Sequence, residues 1–274
     1  MEKPIKNKST NKKKTKALKI MSAVALGLVG VLLIMFISII FVPHYATKDG
    51  ICVLAYHGVV SDEEKATKYK DHIYTISVSQ FESHMKYLSE NGYTTYFMDE
   101  IEQYMDGEID VPEKAVALTF DDGLKNFNTV VKPILEKYNL KGTCFVIGKH
   151  LTSDNKSMLK TEDIVNTENV QYFSHSHNLH YGSGKGINRK IIQELSYDEL
   201  MADFNMDYID DTYFAFPYGR RADGIDKVLK DAGVVLAFDY NHFKHVTRES
   251  DRYALSRYMM LSITPECYFR WIVR

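Results

Sequence analysis

The stretch AVALTFDDG, residues 115–123, decides the fold class of this 274-residue chain. Residues 115–120 are almost all apolar, which is typical of a strand that is covered on both faces of a sheet. Two aspartates and a glycine follow at once, and apolar residues then recur at helical spacing from Phe127 onward. A buried strand that ends in polar residues and passes into a helix predicts one βα unit of a parallel sheet.

The same alternation continues on both sides of this stretch. The predicted strands are Ile51–Tyr56, Tyr93–Phe97, Ala115–Phe120, Gly142–Ile147, Val170–Phe173, Tyr213–Phe216, Val234–Phe238 and Tyr253–Leu261. Strands that alternate with helices imply a parallel α/β sheet, and the number of units favours a (β/α) barrel over an open sheet. In such a barrel the chemistry is expected at the carboxyl ends of the strands.

Two capping boxes predict where helices begin. Residues 79–82 (SQFE) should open a helix that runs through Leu88, and residues 196–199 (SYDE) should open another. Helical periodicity also covers residues 127–138 and 225–229. These helices fall between predicted strands, as a βα barrel requires.

The N-terminus predicts a membrane anchor. Ile20–Val42 is an uninterrupted uncharged run, and about 20 such residues span a bilayer as a helix. Eight lysines precede it against the single acid Glu2, and this excess predicts that residues 1–19 stay in the cytoplasm. Residues 43–50 then form a short linker, and residues 51–274 form one extracytoplasmic domain. The predicted location is the cell membrane, crossed once.

A cleavable signal peptide is the alternative interpretation of this segment. Signal peptides have a shorter apolar core of about 7–15 residues and an A-x-A-like cleavage site. No such site precedes Lys48, so a retained anchor is favoured.

Charge and cysteine content limit the possible partners. Without the eight N-terminal lysines and Glu2, the chain keeps 26 basic and 35 acidic residues, a formal charge of 26 − 35 = −9. This balance argues against a nucleic-acid partner. Cys52, Cys144 and Cys267 are odd in number and lie in apolar contexts, so we expect buried thiols and no disulfide framework.

Three motifs at strand ends could carry chemistry. In the first, Asp121 and Asp122 stand side by side, and the turn at Gly123 can bring both carboxylates to one cavity. A solvated Asp-Gly turn is the alternative. The third motif, Pro217-Tyr218-Gly219, is compatible with a type II turn, and a functional version would direct the Tyr218 N–H into the site as an oxyanion donor.

The second motif is a histidine cluster at residues 175–180 (HSHNLH). Imidazoles five residues apart converge in neither a straight strand nor a helix, so the chain must fold back after His175. Two histidines and one carboxylate leave open positions on Zn²⁺ for water and substrate. Histidines present by chance, or hydrogen-bonded for structure, are the alternative.

The three motifs together, in this order, resemble the polysaccharide deacetylase (NodB-homology) family of carbohydrate esterases over residues 51–274. The resemblance implies a distorted (β/α) barrel and a hydrolase that removes N-acetyl groups. It also implies that Asp121 is the general base, and that Asp122, His175 and His180 hold a divalent metal ion, for which we expect Zn²⁺.

The wording of the histidine motif resembles the subgroup that deacetylates poly-β-1,6-N-acetylglucosamine, the biofilm adhesin. His175 and His180 are five residues apart here, whereas most members of the family space these histidines by four. Weaker matches to the subgroup are Ala55-Tyr56-His57 and residues 256–262. His57 could line the rim of the site, and a histidine that is hydrogen-bonded for structure is the alternative. Peptidoglycan is the alternative substrate, and a metal-bearing glycan-binding domain without turnover is the alternative function.

Two departures from the family matter. Its arginine before the Pro-Tyr-Gly turn is Ala215 here, and its late Leu-x-His is Leu261-Ser262-Ile263, so the usual general acid is absent. Arg257 is expected to supply the missing positive charge. The remaining candidates for the acid are His177, His242 and His245. Because the usual acid is absent, we expect a slower enzyme than typical members of the family. The expected partners are an N-acetylglucosamine polysaccharide, the membrane and a polysaccharide synthase.

Overall fold

The computed structural model describes residues 19–33, 49–180, 182–183, 186–187, 191–240 and 244–274. The chain divides into two compact units, Met1–Thr47 and Lys48–Arg274. In the first unit, residues 19–33 form a helix, α1. The rest of the predicted anchor, 34–42, lies outside the described residues, as do 1–18 and 43–48. Among the helices that are described, none has the length and apolar character needed to cross a bilayer.

The second unit is built on strands that pair in parallel, apart from one short antiparallel pair. Their bounds are β1 Cys52–Tyr56, β2 Gly58–Val60, β3 Thr75–Ser77, β4 Thr94–Thr95, β5 Ala115–Phe120, β6 Gly142–Val146, β7 Val170–Ser174, β8 Gly182–Ser183, β9 Gly186–Ile187, β10 Tyr213–Ala215, β11 Leu236–Asp239, β12 Leu255–Ser256 and β13 Tyr258–Met259. The main sheet runs β12-β11-β10-β7-β6-β5-β1-β13, with β4 beside β5. The β2–β3 and β8–β9 pairs form two small separate sheets.

The main sheet is a nearly closed barrel, which confirms the predicted parallel fold. Its two outermost strands, β12 and β13, pair with β11 and β1 respectively. Only Arg257 separates them in the chain. The single strand predicted over Tyr253–Leu261 is therefore wrong, because the chain breaks there and its halves join opposite edges of the sheet.

Helices follow most strands. Their bounds are α2 Asp62–Ala66, α3 Val78–Glu90, α4 Met98–Asp106, α5 Lys132–Tyr138, α6 Gly148–Leu151, α7 Ile191–Glu194, α8 Tyr197–Phe204, α9 Ile225–Asp231 and α10 Glu266–Ile272. A π-helical turn, Phe127–Val131, precedes α5. The capping box at Ser196 is confirmed. The box predicted at Ser79 is wrong, because Ser77 accepts the capping hydrogen bond from the Gln80 N–H and the helix begins two residues earlier.

Apolar side chains cover both faces of the sheet. Along β5, Val116, Leu118 and Phe120 belong to one core cluster, and Ala115 and Ala117 belong to another on the opposite face. Successive strand residues point to opposite faces, so a sheet that is covered on both sides needs apolar residues at nearly every position. This requirement explains why the strands are continuous apolar runs in the sequence.

The cysteines partly follow the prediction. All three are free thiols. Cys52 and Cys144 are buried in strands β1 and β6, as expected, but Cys267 is exposed on α10. The apolar residues around Cys267 belong to an amphipathic helix, in which only one face is buried.

Candidate active site

The aspartate motif forms a tight turn at the carboxyl end of β5. The Asp121 N–H donates to the Tyr56 carbonyl oxygen at 3.0 Å, which continues the pairing with β1 by one residue. Asp122 and Gly123 then take φ values of +77° and +71°. A β-carbon at Gly123 would lie 2.7 Å from Cγ1 of Val146, so glycine is required there. Positive φ at Asp122 is unfavourable for a non-glycine residue and is typical of functional sites.

The histidine motif leaves β7 by a reversal of the backbone. The His175 N–H still pairs with the Val146 carbonyl oxygen at 2.9 Å, but Ser176 has a φ of +67°. The chain then turns back, as the spacing predicts. Both carboxylate oxygens of Asp203 accept backbone hydrogen bonds from this loop, from the N–H groups of His177 (2.7 Å) and Asn178 (2.8 Å).

These two turns bring Asp122, His175 and His180 together. One ligand atom from each lies within 4.8 Å of the others, a set that could hold a metal ion. Asp122 Oδ1 is 3.8 Å from His175 Nε2 and 3.6 Å from His180 Nε2, and the two Nε2 atoms are 3.0 Å apart. The Nδ1–H of His175 donates to the Ala215 carbonyl oxygen at 2.6 Å, which orients its ring as in metal-ligating histidines.

The chemistry of this cluster fits a divalent cation. Burial, reinforced by the neighbouring imidazole, lowers the pKa of His180 to about 3, and burial lowers the pKa of His175 to about 4. Both rings are therefore neutral near pH 7, which is the form that binds metal. Asp122 Oδ1 is buried and has no hydrogen-bond partner among the described residues. An unsatisfied buried carboxylate oxygen beside two imidazoles suits Zn²⁺ or a similar ion.

Two of the histidines that were candidates for the general acid, His177 and His245, lie away from this cluster. The ring of His177 stacks on Tyr208 at 4.7 Å, and Nε2 of His245 bonds the Ile272 carbonyl oxygen at 2.9 Å. Neither lines the cleft above the cluster. His242 lies outside the described residues.

Asp121 is held by a buried ion pair with Arg257. The guanidinium donates to both carboxylate oxygens, at 2.7 and 2.9 Å, and both side chains are almost completely buried. Burial alone would raise the pKa of Asp121, but the opposite charge of Arg257 holds it well below its usual value. Asp121 therefore stays ionised throughout the physiological pH range.

Tyr240 is a third member of this group that the sequence analysis missed. Its hydroxyl lies 2.5 Å from Asp121 Oδ2, and the Arg257 guanidinium lies 4.5 Å from the centre of its ring. Burial raises the pKa of Tyr240, so the hydroxyl keeps its proton and donates it to the carboxylate. A β-carbon at Gly219 would lie 2.4 Å from this ring, so the glycine of the third motif makes room for Tyr240. The local sequence gives no signal for Tyr240 beyond its position just after β11.

The third motif borders the metal cluster. The Gly219 N–H donates to the Phe216 carbonyl oxygen at 2.9 Å and closes a turn in which Tyr218 has a φ of +57°. The Tyr218 ring lies 4.2 Å from that of His180, centre to centre. The turn is thus close enough to contribute to the site.

All of these groups open into one cleft of about 750 Å³. Asp121, Asp122, His175, His180 and Tyr218 line it. His57 and Tyr240 also line it, together with residues from the β2–β3 connection and the 147–158 segment. His57 Nδ1 is buried without a hydrogen-bond partner in the described part of the chain. This observation argues against the structural role that was the alternative for His57.

Comparison with known proteins agrees with the family that the three motifs resemble. The profile of the polysaccharide deacetylase family matches residues 108–237, which include all three motifs. Residues 108–237 therefore make up a polysaccharide deacetylase domain. The chain matches the poly-β-1,6-N-acetyl-D-glucosamine N-deacetylase of Staphylococcus aureus at 28% identity over 200 residues, 68% of each protein.

Solved structures share the fold of this deacetylase domain. The structure of IcaB from Ammonifex degensii matches with a TM-score of 0.67 at 25% identity, covering 82% of this chain and 98% of that one. The Streptococcus pyogenes deacetylase PplD, solved in complex with acetate, matches with a TM-score of 0.69 at 20% identity, covering 83% and 100%. The second likeness supports the fold alone.

The geometry of the Asp122, His175 and His180 cluster predicts that loss of His180 and loss of His177 affect metal binding differently. His180→Ala removes an imidazole whose Nε2 faces Asp122 and His175, so tight binding of one metal ion should be lost. His177→Ala removes a ring that packs on Tyr208 and should leave metal content unchanged. Elemental analysis of both proteins after dialysis measures this directly. Full occupancy in His180→Ala would exclude His180 as a ligand.

The buried ion pair predicts a large loss of stability in Arg257→Ala. Asp121 would stay buried after losing its charged partner, and removal of one member of a buried ion pair typically costs about 3–5 kcal/mol. Arg252→Ala is the matched control, because it breaks an exposed pair with Asp106 that is worth at most about 1 kcal/mol. Urea unfolding followed by circular dichroism gives both values. Equal losses in the two variants would contradict this assignment of the ion pair.

Proposed function

We propose that this protein hydrolyses the N-acetyl groups of a cell-surface N-acetylglucosamine polysaccharide, with a divalent metal ion as cofactor. One observation carries the proposal. The Asp122, His175 and His180 cluster lies at the carboxyl ends of two strands, beside a buried Asp121 and at the base of an open cleft. A metal-ligand set next to an ionised carboxylate is the arrangement that amide hydrolysis needs.

The substrate that we propose is poly-β-1,6-N-acetylglucosamine. The relative in S. aureus is named for this activity, and IcaB shares the fold at 25% identity. The HSHNLH wording and its five-residue spacing support the same choice. A metal ion held by these three residues would act on the acetamide alone, so the linkage must be recognised by the walls of the cleft.

Asp121 is the proposed general base. A divalent ion, once bound, would polarise the acetamide carbonyl and make water a stronger acid. Asp121 lies next to ligand Asp122 and is ionised, so it can accept the proton of the attacking water. Its low pKa also makes it a weak base, because a carboxylate that is stabilised by Arg257 has less affinity for a proton. Arg257 and Tyr240 fix the orientation of Asp121.

Tyr218 and His57 complete the proposed mechanism. The left-handed conformation of Tyr218 places its backbone in a tight turn next to His180, which supports its N–H as a donor to the tetrahedral oxyanion. His57 lines the cleft, and its buried Nδ1 has no hydrogen-bond partner among the residues that the structure describes. We assign it as the acid that protonates the departing sugar amine, the role that the absent late histidine leaves open.

We also propose that the N-terminal segment anchors the domain on the outer face of the cell membrane. The support is the uncharged run Ile20–Val42 and the eight lysines that precede it. A polymer that emerges through the same membrane would then be within reach of the cleft. A polysaccharide synthase or export protein is the partner that this placement suggests.

Asp121→Asn should separate chemistry from metal binding. The amide keeps the size of the side chain but cannot take a proton from water, so acetate release should fall by about 10²–10⁴-fold. Metal content should be unchanged, because Asp121 is not among the three clustered ligands. Acetate release and elemental analysis of the same preparation test both points. Near-normal turnover would remove Asp121 from the role of base.

The linkage preference tests the proposed substrate. The full-length protein should release acetate from β-1,6-linked N-acetylglucosamine oligomers with a higher kcat/KM than from β-1,4-linked chitin oligomers or peptidoglycan. A chelator should abolish all three activities, and added Zn²⁺ should restore them. A clear preference for either β-1,4 substrate would reject the β-1,6 proposal and leave the metal and base assignments intact.

A further inference from the structure

One wall of the cleft is made of aromatic rings. The rings of His57, Tyr74, His72 and Tyr69 follow one another, with centre-to-centre distances of 5.3 Å, 6.2 Å and 6.2 Å. All four side chains line the same cleft as the metal cluster. We call these four residues the aromatic wall. It begins at the proposed acid, His57, and leads away from it along the β2–β3 connection.

The aromatic wall has a fixed backbone. Lys65 reaches across the connection and donates to the carbonyl oxygens of Tyr69 (2.8 Å) and His72 (2.9 Å). The Thr75 hydroxyl and His72 Nδ1 share a hydrogen bond of 2.8 Å. Backbone hydrogen bonds also join His72 to Tyr69 and Thr75 to His72. Rings that are held in place before a ligand arrives lose little entropy on binding.

The wall is not part of the hydrophobic core. Rings in the core, such as Tyr56 and Phe120, are fully buried and pack on one another. Tyr69 and Tyr74 are half-buried, and His72 is exposed. Their neighbour Ile73 is 39% exposed at the rim. Aromatic and apolar surface that stays open to a cleft and continuous with a catalytic cluster is typical of a binding site.

We propose that the aromatic wall is a subsite for the sugar residues next to the one that is deacetylated. This proposal rests on the proposed function, because it takes the ligand of the cleft to be an N-acetylhexosamine polymer. A pyranose ring has an apolar face of C–H groups and a polar edge, which suits the apolar body and polar tip of tyrosine. The four rings follow one another at steps of 5.3, 6.2 and 6.2 Å, so a single sugar ring cannot contact all of them, whereas a polymer can.

The position of each ring predicts which substrates depend on it. Tyr74 contacts His57, so it should bind the sugar adjacent to the reacting one. Tyr69 contacts no residue with a proposed catalytic role and should bind a sugar further along the chain. Loss of Tyr69 should therefore weaken the binding of long oligomers and leave the chemistry of short ones unchanged.

The test compares the Tyr69→Ala variant with the wild type, both full-length and metal-loaded. The substrates are the N-acetylglucosamine dimer and hexamer of whichever linkage the wild type uses. KM for the hexamer should rise about ten-fold, the size expected for one important aromatic contact in a binding site. The kcat for the hexamer and both constants for the dimer should stay within about two-fold of wild type. Tyr69→Phe should behave like wild type, because the ring remains. Tyr197→Ala is the control for loss of a surface tyrosine outside the cleft.

One further measurement keeps the test of the aromatic wall distinct from the test of the proposed function. Calorimetric titration of the metal-free protein with the β-1,6-linked hexamer should show weaker binding in Tyr69→Ala than in Tyr197→Ala, whether or not acetate is released. The proposed function fails if wild type releases no acetate from any linkage, and this binding difference would still support the wall. Unchanged hexamer binding in Tyr69→Ala, or an equal loss with dimer and hexamer, would overturn the proposal.

Discussion

The buried ion pair between Asp121 and Arg257 is the interaction on which the site depends. Arg257 is the single residue between β12 and β13, which lie at opposite edges of the main sheet. Its guanidinium crosses to the end of β5 and binds both oxygens of Asp121. The chain segment that brings the edges of the barrel together therefore also fixes the carboxylate. A buried charge of this kind is tolerated only with such a partner, so the barrel and the site constrain each other.

The ion pair also sets the chemical character of Asp121. Charge stabilisation by Arg257, assisted by the Tyr240 hydroxyl, keeps the carboxylate ionised and in one orientation. The same stabilisation lowers its affinity for a proton, which weakens it as a base. The site gains a defined geometry at the expense of basicity. The expectation of a slow enzyme, which followed from the absent histidine, stays a prediction.

Asp122, His175 and His180 are brought together by irregular backbone turns and not by a helix or a strand. Asp122 and Ser176 both take left-handed conformations that most residues avoid, and each reverses the chain at the end of a strand. The surrounding hydrogen bonds compensate for this strain, among them those from the histidine loop to Asp203 on α8. Asp203 touches none of the three clustered side chains in the described hydrogen bonds, yet it holds the loop that presents His180. Residues five positions apart can both face Asp122 because the loop between them is fixed at its middle.

The sequence by itself determined the parallel βα architecture and the three strand-end motifs, because both are local patterns. Burial on both faces makes the strands visible as apolar runs, and a turn that needs glycine is visible as Asp-Asp-Gly. Only the tertiary structure decided which distant residues join those motifs. Arg257, which only the family resemblance singled out, and Tyr240, which nothing in the sequence singled out, meet Asp121 across more than 100 positions of sequence. The sequence also gives no indication of the aromatic wall. Three of its rings lie in an irregular segment, whose shape comes from hydrogen bonds to Lys65 and Thr75.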